Sequence, residues 1–232
     1  MSIRVQNASR ECGTFPTPRG RRQRLHSFVD IGTGDDFACG LTASGDSITF
    51  TSLSVGYQSV CGLTKIYDGR LHECGLEAHG KAWCWGRRDA GSLGDGYTGG
   101  VPNEAVQVLP TAVLGDLGFA DLAVSDAMIT YGTTCGITLG GEAYCWGAGA
   151  HEELGAAATD VCAVSGRGEL PCAPRPVRLE TLERFSEISI GSMHACGVTL
   201  RHDVYCGGTN SDGQLGTGTT NVEPVPTAIR LP

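Results

Sequence analysis

Three segments of this chain align on one another without a gap at a fixed interval of 61 residues. The segment from Cys74 reads CGLEAHGKAWCWGRRDAGSLG, that from Cys135 reads CGITLGGEAYCWGAGAHEELG, and that from Cys196 reads CGVTLRHDVYCGGTNSDGQLG. Each opens on a Cys–Gly pair, places a second Cys ten residues later, and has Leu93, Leu154 or Leu215 nine residues after that. Self-similarity at a fixed period is the mark of one supersecondary unit repeated, each copy burying its apolar face on its neighbours.

A second signal lies upstream. Phe28, Phe50 and Phe185 each stand eleven residues before a Cys–Gly pair, at Cys39, Cys61 and Cys196, whereas Phe119 stands sixteen before Cys135. Ile188 and Ile190 alternate with polar neighbours, as a strand with one buried face does. Residues 195–199 then read as a second strand, 204–206 as the start of a third, and 222–231, with Pro224 and Pro226, as an edge strand where proline is tolerated. Four short strands per unit, repeated radially, describe a β-propeller blade. Units therefore start near residues 28, 50, 119 and 185, and 28–232 reads as the repeat region. Glycine, 35 of 232 residues, is about double its usual share, which favours a turn-rich β chain over a helical bundle.

Eleven cysteines carry the next constraint. Cys74/Cys84, Cys135/Cys145, Cys162/Cys172 and Cys196/Cys206 share one ten-residue spacing. The short ligand pairs of zinc sites are missing, so the pattern reads as a disulfide framework and points to an oxidising compartment. Cys61 has either Cys39 or Cys74 as a candidate partner, and one of Cys12, Cys39 and Cys61 is left over. The unit from Phe50 also holds two Cys–Gly pairs thirteen residues apart, which implies an extra hairpin or a blade with lost strands.

The unit F-x-x-I-x-x-G…C-G-V-T…Y-C-W-G…L-G resembles the regulator of chromosome condensation repeat, and most closely its bacterial, cysteine-bearing form. The resemblance covers 28–232; the units from Phe28 and Phe50 match weakly. It implies an all-β fold, a propeller usually of about seven blades of roughly 50 residues. With about four to five blades this chain is short or incomplete relative to that ring. The resemblance also implies protein binding, since family members include exchange factors for a small GTPase and inhibitors of a secreted β-lactamase.

Net charge is −8, which argues against nucleic acid as a partner. The charge is uneven: Arg4, Arg10, Arg19, Arg21, Arg22 and Arg24 make residues 1–27 a basic arm suited to an acidic partner or a membrane surface. Within it, residues 14–19 resemble the strand that closes a blade. No apolar run approaches the ~18 residues of a transmembrane helix, and the first residues lack the apolar core of a secretory signal.

Catalytic motifs are not found. His72 and His194 stand two residues before a Cys and read as blade-packing residues; Trp85 and Trp146, each directly after a second Cys, read as packing between blades, with Gly207 replacing the Trp in the last unit. The insertion 156–175, stapled by Cys162/Cys172, reads as a rigid docking loop. The expectation is a non-catalytic extracytoplasmic scaffold without cofactor, an accessory subunit stabilising a larger assembly such as a respiratory or photosynthetic membrane complex. Its docking residues are expected to be Arg19, Arg21, Arg22, Arg24, His151, Glu152, Glu153 and Arg167. The alternative is a secreted enzyme or enzyme inhibitor with its site at the propeller mouth.

Overall fold

The computed structural model describes residues 10–13, 28–33, 38–42, 49–55, 59–65, 80–100, 106–125, 132–149, 158–164 and 168–229, with side chains from residue 80 onward apart from 108–110. These residues form four antiparallel sheets. In sheet 1, β1 (Arg10–Gly13) pairs with β3 (Ala38–Thr42), which pairs with β2 (Phe28–Thr33). Sheet 2 runs β4 (Thr49–Val55), β5 (Ser59–Lys65), β6 (Lys81–Arg87), β7 (Val106–Ala112). Sheet 3 runs β8 (Phe119–Val124), β9 (Thr133–Thr138), β10 (Ala143–Ala148), β12 (Gly168–Arg178), β11 (Asp160–Val164). Sheet 4 runs β13 (Phe185–Ile190), β14 (His194–Thr199), β15 (Val204–Gly208), β16 (Glu223–Ala228). The helical content of the described residues is one turn of 3-10 helix, Asp89–Gly91.

Successive sheets pack on each other through their first strands: β2 and β3 touch β4, β5 touches β8, and β8 and β9 touch β13. This is the blade-on-blade stacking of a propeller. The recurring residues each have a physical reason. A Cβ at Gly136 would lie 2.6 Å from Cδ1 of Phe119, and one at Gly197 would lie 2.6 Å from Cδ1 of Phe185. In these two units the glycine of the Cys–Gly pair thus makes room for the phenylalanine that opens the unit, which explains why the two signals travel together. The glycine after the second cysteine meets a different need. Gly86, Gly147 and Gly208 share φ of 107, 107 and 106° at a bulge where the third strand meets the fourth. L-residues rarely adopt that conformation.

Across each hairpin the cysteines stand directly opposite. Cys135 pairs in register with Cys145 and Cys196 with Cys206; both pairs are disulfide-bonded, with Cα atoms 4.0 and 4.1 Å apart. Cys162–Cys172 is a third bond, at a Cα separation of 5.8 Å, because the register sets Cys162 opposite Leu170 and the bond runs diagonally.

Two expectations need correction. The hairpin expected at Cys74/Cys84 is built otherwise: Cys84 is disulfide-bonded, but the strand opposite it is β5, whose Cys61 is its register partner. Cys74 itself lies outside the described residues. The earlier Cys–Gly pair, at Cys61, therefore supplies the second strand of sheet 2. The insertion is likewise not a free loop. β11 and β12 extend sheet 3 to five strands, and Cys162, Cys172 and Ala148 are buried against Ala90 in the turn of sheet 2. The Ala163 N–H donates to the Thr98 carbonyl at 2.7 Å, and the Gly96 N–H to the Pro174 carbonyl at 2.9 Å. The disulfide staples β11 to β12 within sheet 3, and these two hydrogen bonds and the packing on Ala90 hold the pair against the preceding sheet.

Candidate binding surface

The seam between sheets 2 and 3 shows how one blade receives the next. Sheet 2 offers Ala82, Cys84, Leu93 and Val113; sheet 3 sets Phe119, Leu122, Val124 and Trp146 against them, all within one buried cluster. The Thr134 hydroxyl donates across the seam to the Ser92 carbonyl at 3.0 Å. The seam between sheets 3 and 4 repeats the pattern: Ala143, Cys145 and Leu179 receive Phe185, with Ile188 and Ile190 packed beside it. One carboxylate also crosses here. Asp121 accepts from the N–H of Leu122 at 2.9 Å and from the N–H of Ile188 on sheet 4 at 3.4 Å. Burial pushes its carboxyl above the ordinary 3.8, the two N–H groups pull it partly back, and Glu187 raises it again. An acid two residues after Phe recurs as Asp30, Asp121 and Glu187, a signal in the sequence that the motif reading passed over.

Sheet 4 carries the receiving residues once more. Val204, Cys206, Leu215 and Ile229 stand where Ala82, Cys84, Leu93 and Val113 stand in sheet 2. The Ile229 N–H bonds to the Val204 carbonyl at 2.9 Å, as Val113 bonds to Ala82 and Leu179 to Ala143. Val204 and Ile229 are half-buried, whereas Ala82, Ala143, Val113 and Leu179 are buried. Val222 and Val225 beside them are exposed. The turn below is rigid. Asn210, fully buried, accepts from the Leu215 N–H and donates to the Thr219 carbonyl and the Thr217 hydroxyl. Gly213, Gly216 and Gly218 take positive φ there, as do Gly91, Gly94 and Gly96 in the turn of sheet 2. This turn is not a cation site of the calcium-loop kind, because Asn210 spends its side chain on the loop's own backbone and hydroxyls.

Other expected residues fall as follows. Trp146 is buried between sheets 2 and 3 with its ring centroid 5.7 Å from that of Phe119, and Trp85 is buried on β6. The His194 ring lies over Gly191, where a Cβ would approach its Cε1 to 2.4 Å, so it packs the first turn of sheet 4. Arg19, Arg21, Arg22, Arg24, His72, His151, Glu152, Glu153 and Arg167 lie outside the described residues. Among the described residues no group of three His, Cys, Asp or Glu side chains is placed to hold a metal ion, and no helix is long and apolar enough to cross a membrane.

With this repeating seam in view, comparison with known proteins settles the kind of repeat. Residues 140–198 and 201–232 match the family model of the regulator of chromosome condensation (RCC1) repeat. Those two stretches are RCC1-like repeats. The mitochondrial RCC1 domain-containing protein RUG3 of Arabidopsis thaliana is 29% identical over 175 residues, 73% of this chain and 35% of that protein. The E3 ubiquitin-protein ligase HERC2 of Homo sapiens is 30% identical over 141 residues, 60% of this chain and 2% of that one. Among solved structures, Prp20p from Saccharomyces cerevisiae superposes with a TM-score of 0.54 at 16% identity, covering 83% of this chain and 52% of Prp20p. Human WBSCR16 superposes at 0.61 and 13%, covering 92% of this chain and 56% of that one. This chain thus spans about half of each of those solved chains and about a third of RUG3.

Proposed function

We propose that this RCC1-type chain is a non-catalytic protein-binding scaffold that works in an oxidising, extracytoplasmic compartment as an accessory part of a larger assembly. One observation carries the reading: the receiving face of sheet 4, Val204, Cys206, Leu215 and Ile229, matches two faces that are covered within this chain and lies at the end of the described array. Cys206 and Leu215 are already buried under the turn of their own sheet, but Val204 and Ile229 are only half-buried and Val222 and Val225 beside them are exposed, and exposed apolar surface is costly in water and marks interaction sites. The occupant it fits is a protein surface presenting an aromatic and branched aliphatic side chains, as Phe119 with Leu122 and Phe185 with Ile188 do. The three disulfides described in full and the bonded Cys84 support the compartment, since such bonds persist where thiols are not kept reduced. Protein binding also fits the relatives: Prp20p is described by its binding to Gsp1p and histones, and yeast RCC1 by its complex with Kap60.

The test is affinity capture with the full chain and with Ile229→Asp, which sets a carboxylate on the face. The reading expects a protein to co-purify in stoichiometric amount with the first and at least about tenfold less with the second, a loss of roughly 1.4 kcal/mol. A chain that light scattering shows as a monomer, and that captures nothing, overturns it.

A further inference from the structure

The seam between sheets 2 and 3 holds an indole that the seam between sheets 3 and 4 lacks. Trp146 follows Cys145, and its fully buried ring fills the space among Ala82, Cys84, Leu93 and Val113. At the same place in sheet 4, after Cys206, stands Gly207. Apart from Leu93, whose repeat counterpart Leu154 lies outside the described residues, the walls correspond: Ala143, Cys145 and Leu179 replace Ala82, Cys84 and Val113, while Phe185 and Ile188 replace Phe119 and Leu122. Where the indole would be there is a cleft, with Gly207, Ala195 and Tyr205 completing its lining. The cleft is open to solvent on one side and holds about 380 Å³ of empty space, the solvent at its mouth included.

The backbone does not forbid a side chain here. A Cβ at Gly207 would stand 3.3 Å from the Glu223 carbonyl oxygen, a tight contact that a small shift of β16 relieves, and its φ lies outside the left-handed region. The lining is almost wholly apolar, so a water inside would find few partners; cavities of that kind stay dry and take up flat aromatic molecules. The neighbouring seam shows which aromatic fits. The buried Nε1 of Trp146 has no hydrogen-bond partner among the described residues, so that ring is held by shape and apolar contact.

We propose that the cleft at Gly207 receives the tryptophan side chain of a partner protein, whose ring enters between sheets 3 and 4 and completes the seam as Trp146 completes the other. Phe185 and Tyr205, whose rings meet edge-on at 6.3 Å, form the aromatic wall of the cleft. The proposal rests on the protein-binding reading.

The probe is N-acetyl-tryptophanamide, titrated into the full chain while the methyl signals of Leu179, Ile188 and Ala195 are followed by NMR. Saturable shifts are expected, with a dissociation constant on the order of 1 mM and at least about tenfold weaker binding of N-acetyl-leucinamide. Gly207→Trp supplies the ring from the chain itself, so it abolishes the shifts and raises Tm. Gly207→Phe is a smaller filler and weakens the binding in the same way, and the titration of the unaltered chain requires no variant. Absence of saturable shifts, or shifts undiminished in both filled variants, overturns the proposal. A chain that captures a protein yet gives no shifts overturns the pocket alone. Shifts without any captured protein support the pocket and overturn the docking reading.

Discussion

Replacing Gly136 by Ala tests the packing rule on which the repeat is built. The new methyl carbon would stand 2.6 and 2.8 Å from Cδ1 and Cε1 of Phe119 and 2.8 Å from Cδ2 of Leu122. Carbon atoms prefer ~3.5–4.0 Å, so something must yield by about 1 Å. Phe119 is 2% exposed and leans on Trp146, and therefore cannot swing aside. Overpacking of this size costs ~1–3 kcal/mol. Against it stands the gain from a stiffer unfolded chain, ~0.4–1 kcal/mol, which the variant keeps because φ at Gly136 is not positive. The net expectation is a loss of about 1–2 kcal/mol, a fall in Tm of roughly 2–8 °C for a chain of this length. Calorimetry reads it, and Phe119→Leu, measured alone and with Gly136→Ala, isolates the contact. The double variant should be more stable than the sum of the two changes by at least about 0.5 kcal/mol. A Gly136→Ala chain as stable as the unaltered one, with no such coupling, refutes the reasoning.

Replacing Cys135 and Cys145 together by Ser should cost about 3 kcal/mol by chain entropy, read as a lower denaturation midpoint with an unchanged fold by circular dichroism. Non-reducing peptide mapping should link Cys84 to Cys61, its register partner, and recovery of a Cys74–Cys84 peptide would return sheet 2 to the pairing expected from spacing. Asp121 makes stability depend on pH. Because its carboxyl holds a proton more tightly in the fold than in the unfolded chain, its contribution is fully present below 3.8 and is lost as pH rises through the raised native value. Asp121→Asn should flatten that acid-side slope in urea titrations at successive pH values.

Much of the fold was legible because its constraints are local. A bulge that needs positive φ demands glycine at 86, 147 and 208, a hairpin that opposes two cysteines fixes a ten-residue spacing, and both recur at one interval. What stayed hidden depends on which of two equivalent segments wins. Cys61–Gly62 and Cys74–Gly75 satisfy the same pattern, and no periodicity chooses between them; the structure uses Ser59–Lys65. The stapled insertion was legible as a disulfide, but its place against Ala90 arises from a contact about seventy residues away in sequence, which spacing does not encode. The Phe–Gly contact was visible as two separate signals and became one only when the hairpin brought Phe119 over Gly136. Of the candidate site, Gly207 was legible as a departure from the repeat, whereas the uncovered state of Val204 and Ile229 required the seams of sheets 2 and 3 for comparison.

The central claim is that the last sheet offers its receiving face to another protein, and photocrosslinking tests it most directly. A benzophenone side chain is placed at Ile229 on that face and, separately, at Leu182, which is 93% exposed on the connection before sheet 4. After irradiation in the native source, the account predicts a discrete protein adduct from position 229 and none from position 182. Adducts from both positions alike, or none from 229, would contradict it.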